Sequence, residues 1–554
     1  RRRVEALAVN ELARRDLLKA FLGAPALLAL GCASRKGQRT IAQMDGGLVL
    51  RREKLGHRLR DLTLMPTPSA WSTCDVLVVG GGVAGLSAVR ELKTRGIENV
   101  VLMELDENVG GTSQGGSLPV SAHPWGAHYV TVPQAANKPL IALLDEVGAV
   151  ERISASGEPI MAEQHLVADP SERVFYRGRW YEGLYPFAGA SADERDQKER
   201  FEAEIDRWVA FRDSEGKPAF ALPMSLGSRD PRVQALDKVS MAKWLKQNGY
   251  TSPRLHWWVE YACRDDYGTT LADTSAWSVF FYYASRKKSA GASYQEVVTW
   301  PEGNSHLVNH LKRGVASKTG HAVLSVESGE DSVSVVALDA SGAGEPTVVG
   351  VRARYVVMAT PQFINARVVR GLSEERLAAA KSFEQSPWMV ANLQIRERPG
   401  GAGFPLCWDN VLFDSPSLGY VVATHQQGPH RGPTVLTYYY PLVDSDARVA
   451  RRRLLELGWE EWAEVALSDL ERAHPGLRNY VERIDVARWG HGMVRSTPGR
   501  IWDGRRELAA QPHGRVHFAH SDLSGVALFE EAFDQGNRAA AAVAARMAPE
   551  AAGP

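Results

Sequence analysis

Asp75-Val76-Leu77-Val78-Val79 is a continuous apolar run that leads directly into Gly80-Gly81-Gly82-Val83-Ala84-Gly85. Such a run is expected of a strand buried on both faces, and so of a parallel sheet covered by helices. An amphipathic segment through Arg95 and a second apolar run, Val100-Val101-Leu102-Met103, complete a βαβ unit ending at Glu104. Each position has its own duty. Gly80 permits the tight turn, Gly82 lets backbone approach a pyrophosphate, and Gly85 allows close helix–strand packing. The helix start at Val83 and Ala84 offers free N–H groups to phosphate. Glu104, nineteen residues beyond Gly85, stands where a carboxylate accepts both ribose hydroxyls. The glycines alone are weak, since with 50 Gly in 554 residues the spacing arises by chance roughly 0.4 times per chain. Strand, glycines, helix, strand and acid in order specify a dinucleotide site.

At 554 residues the chain is too long for one core, so more than one domain is expected. An apolar fraction of 44% and a charged fraction of 23% exclude a disordered, collagenous or multi-pass membrane protein. Basic and acidic residues balance at 65 each, so no global field points to nucleic acid. The four cysteines, Cys32, Cys74, Cys263 and Cys407, have spacings that suit neither a zinc site nor a disulfide framework.

Further motifs follow in order. Asn108-Val109-Gly110-Gly111-Thr112 places a second glycine pair near the first crevice, and Gly126-Ala127-His128-Tyr129 comes next. Thr299-Trp300-Pro301-Glu302-Gly303-Asn304 precedes Leu307 and Leu311; three alternating segments between Val323 and Val351 lead to Tyr355 through Pro361, including Ala359. Near the end come Arg515-Val516-His517-Phe518-Ala519, Asp522, and a helix from about Phe529 to Ala540. This series resembles the flavin-containing amine oxidase superfamily, within the FAD-dependent oxidoreductases. A weaker resemblance, through Asp522-Leu523-Ser524-Gly525 and Asp534-Gln535-Gly536, is to bacterial spermidine dehydrogenases. The resemblance implies an α/β fold, a Rossmann-like FAD-binding domain with an inserted mixed α+β substrate domain. It implies FAD as cofactor, held by Gly80, Gly82, Val83, Ala84, Gly85, Glu104, Gly110, Gly111, Thr112, Ala359, Asp522 and Phe529. It also implies oxidation of a small-molecule amine or polyamine by hydride transfer to flavin N5. Several positions depart from the family pattern: Asp522 comes one position late, Glu531 stands where a glycine is usual, and Asn392 lies near the register of a lysine found in many members. Two alternatives stay open, a carotenoid-desaturase-like enzyme with an apolar tunnel and a non-catalytic binding protein of the same fold.

The expected division is 71–150, 301–365 and 491–554 for FAD binding, with 151–300 and 366–490 as the substrate domain. The richest stretch of the inserts is Trp257-Trp258 through Asp265-Asp266-Tyr267-Gly268. Aromatic faces beside paired carboxylates suit an ammonium group; a core helix with an Asp-rich end is the other reading. On a helix, Asp265 and Asp266 diverge by about 100°, so at most one reaches substrate. His128 and His425 are further candidate catalytic residues, with a structural histidine as the alternative for His425. His306 and His310 lack a third metal ligand, and Arg451-Arg452-Arg453 reads as a solvated helix face.

The start of the chain carries an address. Arg14-Arg15-Asp16-Leu17-Leu18-Lys19 precedes an uncharged stretch, Ala20 to Gly31, and then Cys32. A helix of that length spans about 18 Å, short of a roughly 30 Å hydrocarbon core. Residues 1–32 resemble a twin-arginine (Tat) signal, which implies the Tat export machinery as partner and a periplasmic or membrane-anchored location. Ala29-Leu30-Gly31-Cys32 resembles a lipobox with Cys32 as the lipidated residue; cleavage after Ala33 is the alternative. Residues 33–70 read as a linker or surface arm.

Overall fold

The computed structural model describes residues 39–49, 52–60, 65–428 and 431–548. The Tat-like signal, Cys32 and residues 33–38 lie outside them. Two sheets organise the chain. The first has seven strands, in the order Ala316–Lys318, Val100–Met103, Ala70–Val79, Thr347–Met358, Val333–Asp339 and His321–Ser328, with Val516–Phe518 also paired to Thr347–Met358. The first four run parallel, as does Val516–Phe518, while the meander from His321 to Met358 is antiparallel. Strand Ala70–Val79 explains itself: its start, Ala70 to Thr73, is exposed, and from Val76 to Val79 it is buried, with Val76 and Val78 in the core formed with helix Val83–Thr94 and Leu77 and Val79 in a core shared with the meander strands.

Helix Val83–Thr94 and the last helix, Phe529–Met547, cross against one another on this sheet. The crossing is close because Gly536 has no side chain; a Cβ there would lie 2.0 Å from Ser87 Oγ and 2.2 Å from the Ala84 carbonyl oxygen. The first helix is thereby fixed with its N-terminus pointing at the crevice beyond the strand ends.

The second sheet has eight strands, running from Asp45–Leu48 through Val481–Val494, Gln385–Ile395, Thr434–Pro441, Tyr420–Val422, Asp409–Leu412 and Glu172–Tyr176 to Arg179–Glu182. The boundary drawn at 490 falls inside Val481–Val494, all of which belongs to this sheet. A helical lobe fills most of 191–284. Its helices start at Ser191, in a capping box with Glu194, and at Ser252 and Ser275, whose side chains accept from the first turn. Phe201, Trp208, Trp258, Trp277 and Phe280 form its aromatic core.

The segment read as a linker or arm is an anchored one. Asp45–Leu48 pairs in parallel with Val481–Val494 of the second sheet. The short helix Glu53–His57 then buries Leu55 against Ala322, Leu324 and Leu338 of the first sheet. The arm therefore passes from one sheet to the other.

Candidate active site

Gly80 has φ 102° and turns the chain out of its strand. A Cβ on Gly85 would sit 1.9 Å from the Gly80 carbonyl oxygen, so only glycine lets the helix start close over the loop. Gly82 has nothing within 4 Å of where its Cβ would be, an open cradle of the kind a pyrophosphate fills. The Gly110 amide bonds the Gly81 carbonyl at 2.7 Å, which brings Gly110, Gly111 and Thr112 to the same crevice. Glu104 accepts from the amides of Gly81 (2.5 Å) and Asp106 (2.9 Å); burial pushes its carboxyl up to about 7. All these residues except Gly81, Gly85 and Asp106 line one cavity of about 1260 Å³, together with Val83, Ala84, Ala127, Ala359, Asp522 and Phe529. Helix N-terminus, open glycine and ribose-side acid fit a dinucleotide, and the cavity is long enough to continue to a ring system beside Ala127 and Trp489.

Asp522 is fully buried and accepts from the Gln362 amide (2.9 Å) and the Gln385 side chain (2.7 Å), with His520 beside it. The His520 charge and these hydrogen bonds hold it below the ordinary carboxylate range despite burial. Phe529 opens the last helix and stacks on Phe533. Glu531, on the next turn face, is buried and accepts from the Met224 amide at 2.6 Å. Burial pushes it up to about 8, so it is a protonated structural group.

The strip Pro124–Tyr129 separates this cavity from a second region. Three side chains of the second sheet donate to its carbonyls: Asn392 to Pro124 (2.9 Å), Trp489 to Trp125 (2.6 Å) and Tyr439 to Gly126 (2.9 Å). Ala127 bonds the Thr112 carbonyl on the other side. Asn392 also accepts from Thr437 and is wholly buried, so it is a clamp on the strip. His128 lies within this wall, stacked on Tyr439 with ring centroids 4.7 Å apart and near Trp408 at 5.4 Å. Burial lowers it to about 4, so it is neutral.

Beyond the strip lies a cluster of carboxyls and tyrosines. Asp265 and Asp266 stand at the end of helix Pro253–Tyr267 and point apart. Asp266 is buried in an ion pair with Arg286 at 2.7 Å. Asp265 faces Tyr282, whose hydroxyl lies 3.5 Å away, and Tyr129. Burial first, then the Asp266 charge, pushes Asp265 up to about 7. Asp409, which sequence reasoning missed, accepts from Tyr261 at 3.0 Å. It sits directly opposite Glu172 in a parallel strand pair, so both project from one face. Burial, then Glu172 and Asp265, hold Asp409 well above the ordinary carboxylate range. Tyr129, Tyr261, Asp265, Tyr282, Trp408 and Asp409 all keep part of their surface accessible, so they line open space. The signal for Asp409 was the run Trp408-Asp409, an acid next to an aromatic; nothing local tied it to Asp265.

Other candidates fall elsewhere. His425 is buried on the Ala168 carbonyl (2.8 Å) and does not line the cavity. His306 pairs with Glu302 and His310 with Glu146, and no metal-holding group of side chains occurs among the described residues. The arginine run is not a solvated face as expected. Helical geometry turns Arg451 inward onto the carbonyls of Gln385 and Gly490, Arg453 forks onto Asp444, and only Arg452 is exposed.

A glycine-cradled crevice at the strand ends, backed by an insert with its own sheet, defines an FAD-dependent oxidoreductase. The chain belongs to the flavin containing amine oxidoreductase family, whose model matches residues 83–544. It is 24% identical over 502 residues to an L-amino acid dehydrogenase of Synechocystis sp., covering 85% of this chain and 95% of that one. It is 27% identical over 213 residues to the oxidoreductase PigB of Serratia sp., covering 36% and 30%. Among solved structures, putrescine oxidase bound to putrescine superposes with TM-score 0.61 at 18% identity, covering 86% of this chain and all of that one. Cyclohexylamine oxidase from Brevibacterium oxydans superposes with TM-score 0.59 at 16% identity, covering 86% and 99%. These likenesses establish the fold, and the family match establishes the flavin chemistry.

Proposed function

We propose that this protein oxidises an amine carrying a second, distal ammonium group, a diamine or polyamine, to an imine that water then hydrolyses. The observation that carries the reading is Asp409. It is a carboxyl removed from bulk water, accepting from Tyr261, near Tyr439, and paired with no cation among the described residues. A carboxyl so placed binds an ammonium ion that brings its own charge. Bound FAD supplies the hydride acceptor. Asp265 and Asp409 hold the distal charge, while neutral His128 and Tyr439 wall the side toward the flavin strip. The reacting nitrogen is then free to shed its proton into surroundings without a fixed carboxylate partner.

An α-amino acid fits this cluster less well, because its carboxylate needs an unspent cation. Arg286, the arginine that acts on Asp265, is already bonded to Asp266 and to the Tyr282 carbonyl. A long apolar substrate of the desaturase kind would strand two carboxyls in an apolar tunnel. Anaerobic titration of the holoprotein tests the reading by bleaching of the oxidised flavin band. Putrescine and longer polyamines should reduce the flavin, butylamine only at much higher concentration. Asp409→Asn should raise the putrescine concentration required about tenfold or more with full flavin content, since hydrogen bonds to charged groups contribute about 1.5–3 kcal/mol. Reduction by neutral L-amino acids but not by putrescine would overturn it.

A further inference from the structure

The nucleotide cavity has a cationic flank that the glycine loop does not explain. Arg60, in the N-terminal arm, and Arg448 and Arg451, on helix Ala447–Glu456, line the same cavity as Gly82, Glu104 and Asp522. His57 and His491 line it too. These groups are mutual neighbours. Burial first, then the charges of Arg60 and Arg448, lowers Arg451 from the ordinary arginine value. Burial, followed by Arg451, Arg60 and His57, pushes His491 down to about 3.

The carboxylates on this flank are already engaged. Glu53 faces Arg488, Glu384 faces Arg495, and Asp446 accepts the first amides of its own helix. Asp522 is bonded to Gln362 and Gln385. Neither Arg60 nor Arg451 forms an ion pair among the described residues; Arg451 rests on two carbonyl oxygens. Like charges gathered at a cavity wall repel unless an anion joins them.

The arm that delivers Arg60 is tied at both ends of its span. Its strand Asp45–Leu48 hydrogen-bonds to the second sheet. Beyond it, the Arg52 amide bonds Asp106 at 3.0 Å, two residues from the ribose-side acid Glu104, and Arg52 also pairs with Glu107 at 3.1 Å. Gly56 packs on Leu105. The arm therefore crosses the cavity next to the place where Glu104 would hold the ribose.

We infer that Arg60 of the arm and Arg451 of helix Ala447–Glu456 form a cationic clasp on the phosphate groups of the bound dinucleotide. The glycine loop and helix N-terminus meet those phosphates from the first sheet; the clasp meets them from the second sheet and the arm. The arm thus serves as cofactor-binding structure although it lies upstream of the βαβ unit and outside the family match. This inference rests on bound FAD and not on the amine substrate, so either can fail without the other.

The test uses the full-length holoprotein. Arg60→Ala and Arg451→Ala should each speed FAD release about tenfold or more, read as the rise in fluorescence of freed flavin on dilution. Arg58→Ala, two residues away and not lining the cavity, should release FAD at the wild-type rate. The apoprotein is then probed with ADP and with adenosine. ADP binding should weaken in both variants, and become less sensitive to salt, while adenosine binding stays unchanged. FAD release at the wild-type rate in both variants would overturn the clasp. So would equal weakening of ADP and adenosine, which would mean that the arm acts by packing against the adenosine end alone.

Discussion

Replacing Gly536 by alanine should loosen the flavin from a position that does not line the cavity. The added Cβ would meet Ser87 Oγ at 2.0 Å and the Ala84 carbonyl oxygen at 2.2 Å. The hydroxyl can rotate away, but the carbonyl belongs to the first turn of helix Val83–Thr94 and moves only with it. Reaching ordinary contact at about 3.5 Å requires the helices to part by about 1.3 Å. A hydrogen bond of about 2.9 Å from that helix N-terminus to phosphate would stretch beyond 4 Å and be lost. One such charge-assisted bond contributes about 1.5–3 kcal/mol, so FAD affinity should fall roughly 10- to 150-fold. Overpacking itself should cost a further 1–3 kcal/mol of stability, about. The assay is FAD content per chain after gel filtration, followed by a thermal melt monitored by flavin fluorescence. A Ser87→Ala second substitution should not restore binding, because the carbonyl clash persists. Full FAD occupancy with an unchanged melt in Gly536→Ala would refute the reasoning.

Three further outcomes are expected. Glu531 has a carboxyl raised to about 8 by burial, so the folded state keeps a proton that the unfolded chain releases near pH 4.5. Wild-type stability should therefore fall as pH rises from about 4.5 to 8, and Glu531→Gln should melt higher than wild type at pH 9 while matching it near pH 5. Asp265 is likewise raised, to about 7, and an ammonium ligand favours its ionised form; the putrescine Kd from flavin titration should tighten as pH rises through 7, and Asp265→Asn should flatten that dependence. Arg14→Lys with Arg15→Lys should leave flavin-loaded protein in the cytoplasm, as cell fractionation would show, if the N-terminal signal is of the twin-arginine type.

The nucleotide half was legible because its requirements are local. A turn at φ 102°, a Cβ-free approach and a tight helix start each demand glycine within six residues, and a doubly buried strand must be apolar throughout. The divergence of Asp265 and Asp266 also followed from helix geometry alone. Asp409 could not be found in that way. Its neighbours Glu172 and Tyr439 come from other strands, joined only when the second sheet pairs them, and Tyr261 comes from helix Pro253–Tyr267, brought over by tertiary packing. Arg451 misled for a related reason: three consecutive arginines read as solvated, but a helix turns each by about 100°, and the carbonyls that receive Arg451 belong to distant strands. The arm carries no periodicity because its strand is four residues long and its helix five.

The strip Pro124–Gly126 is gripped through its three carbonyls by Asn392, Trp489 and Tyr439, with Trp125 adding side-chain packing. A grip on main-chain atoms is indifferent to which residue supplies them. The wall between the two compartments can therefore hold its place while the residues displayed on it change over evolutionary time. Selection for a new amine would act on side chains at His128 and Tyr129 without retuning the flavin's seat. The three gripping residues have no such freedom, since losing any one would leave a carbonyl unanswered and the wall free to drift. In this architecture the holders should be slow to change and the surface they hold should be quick.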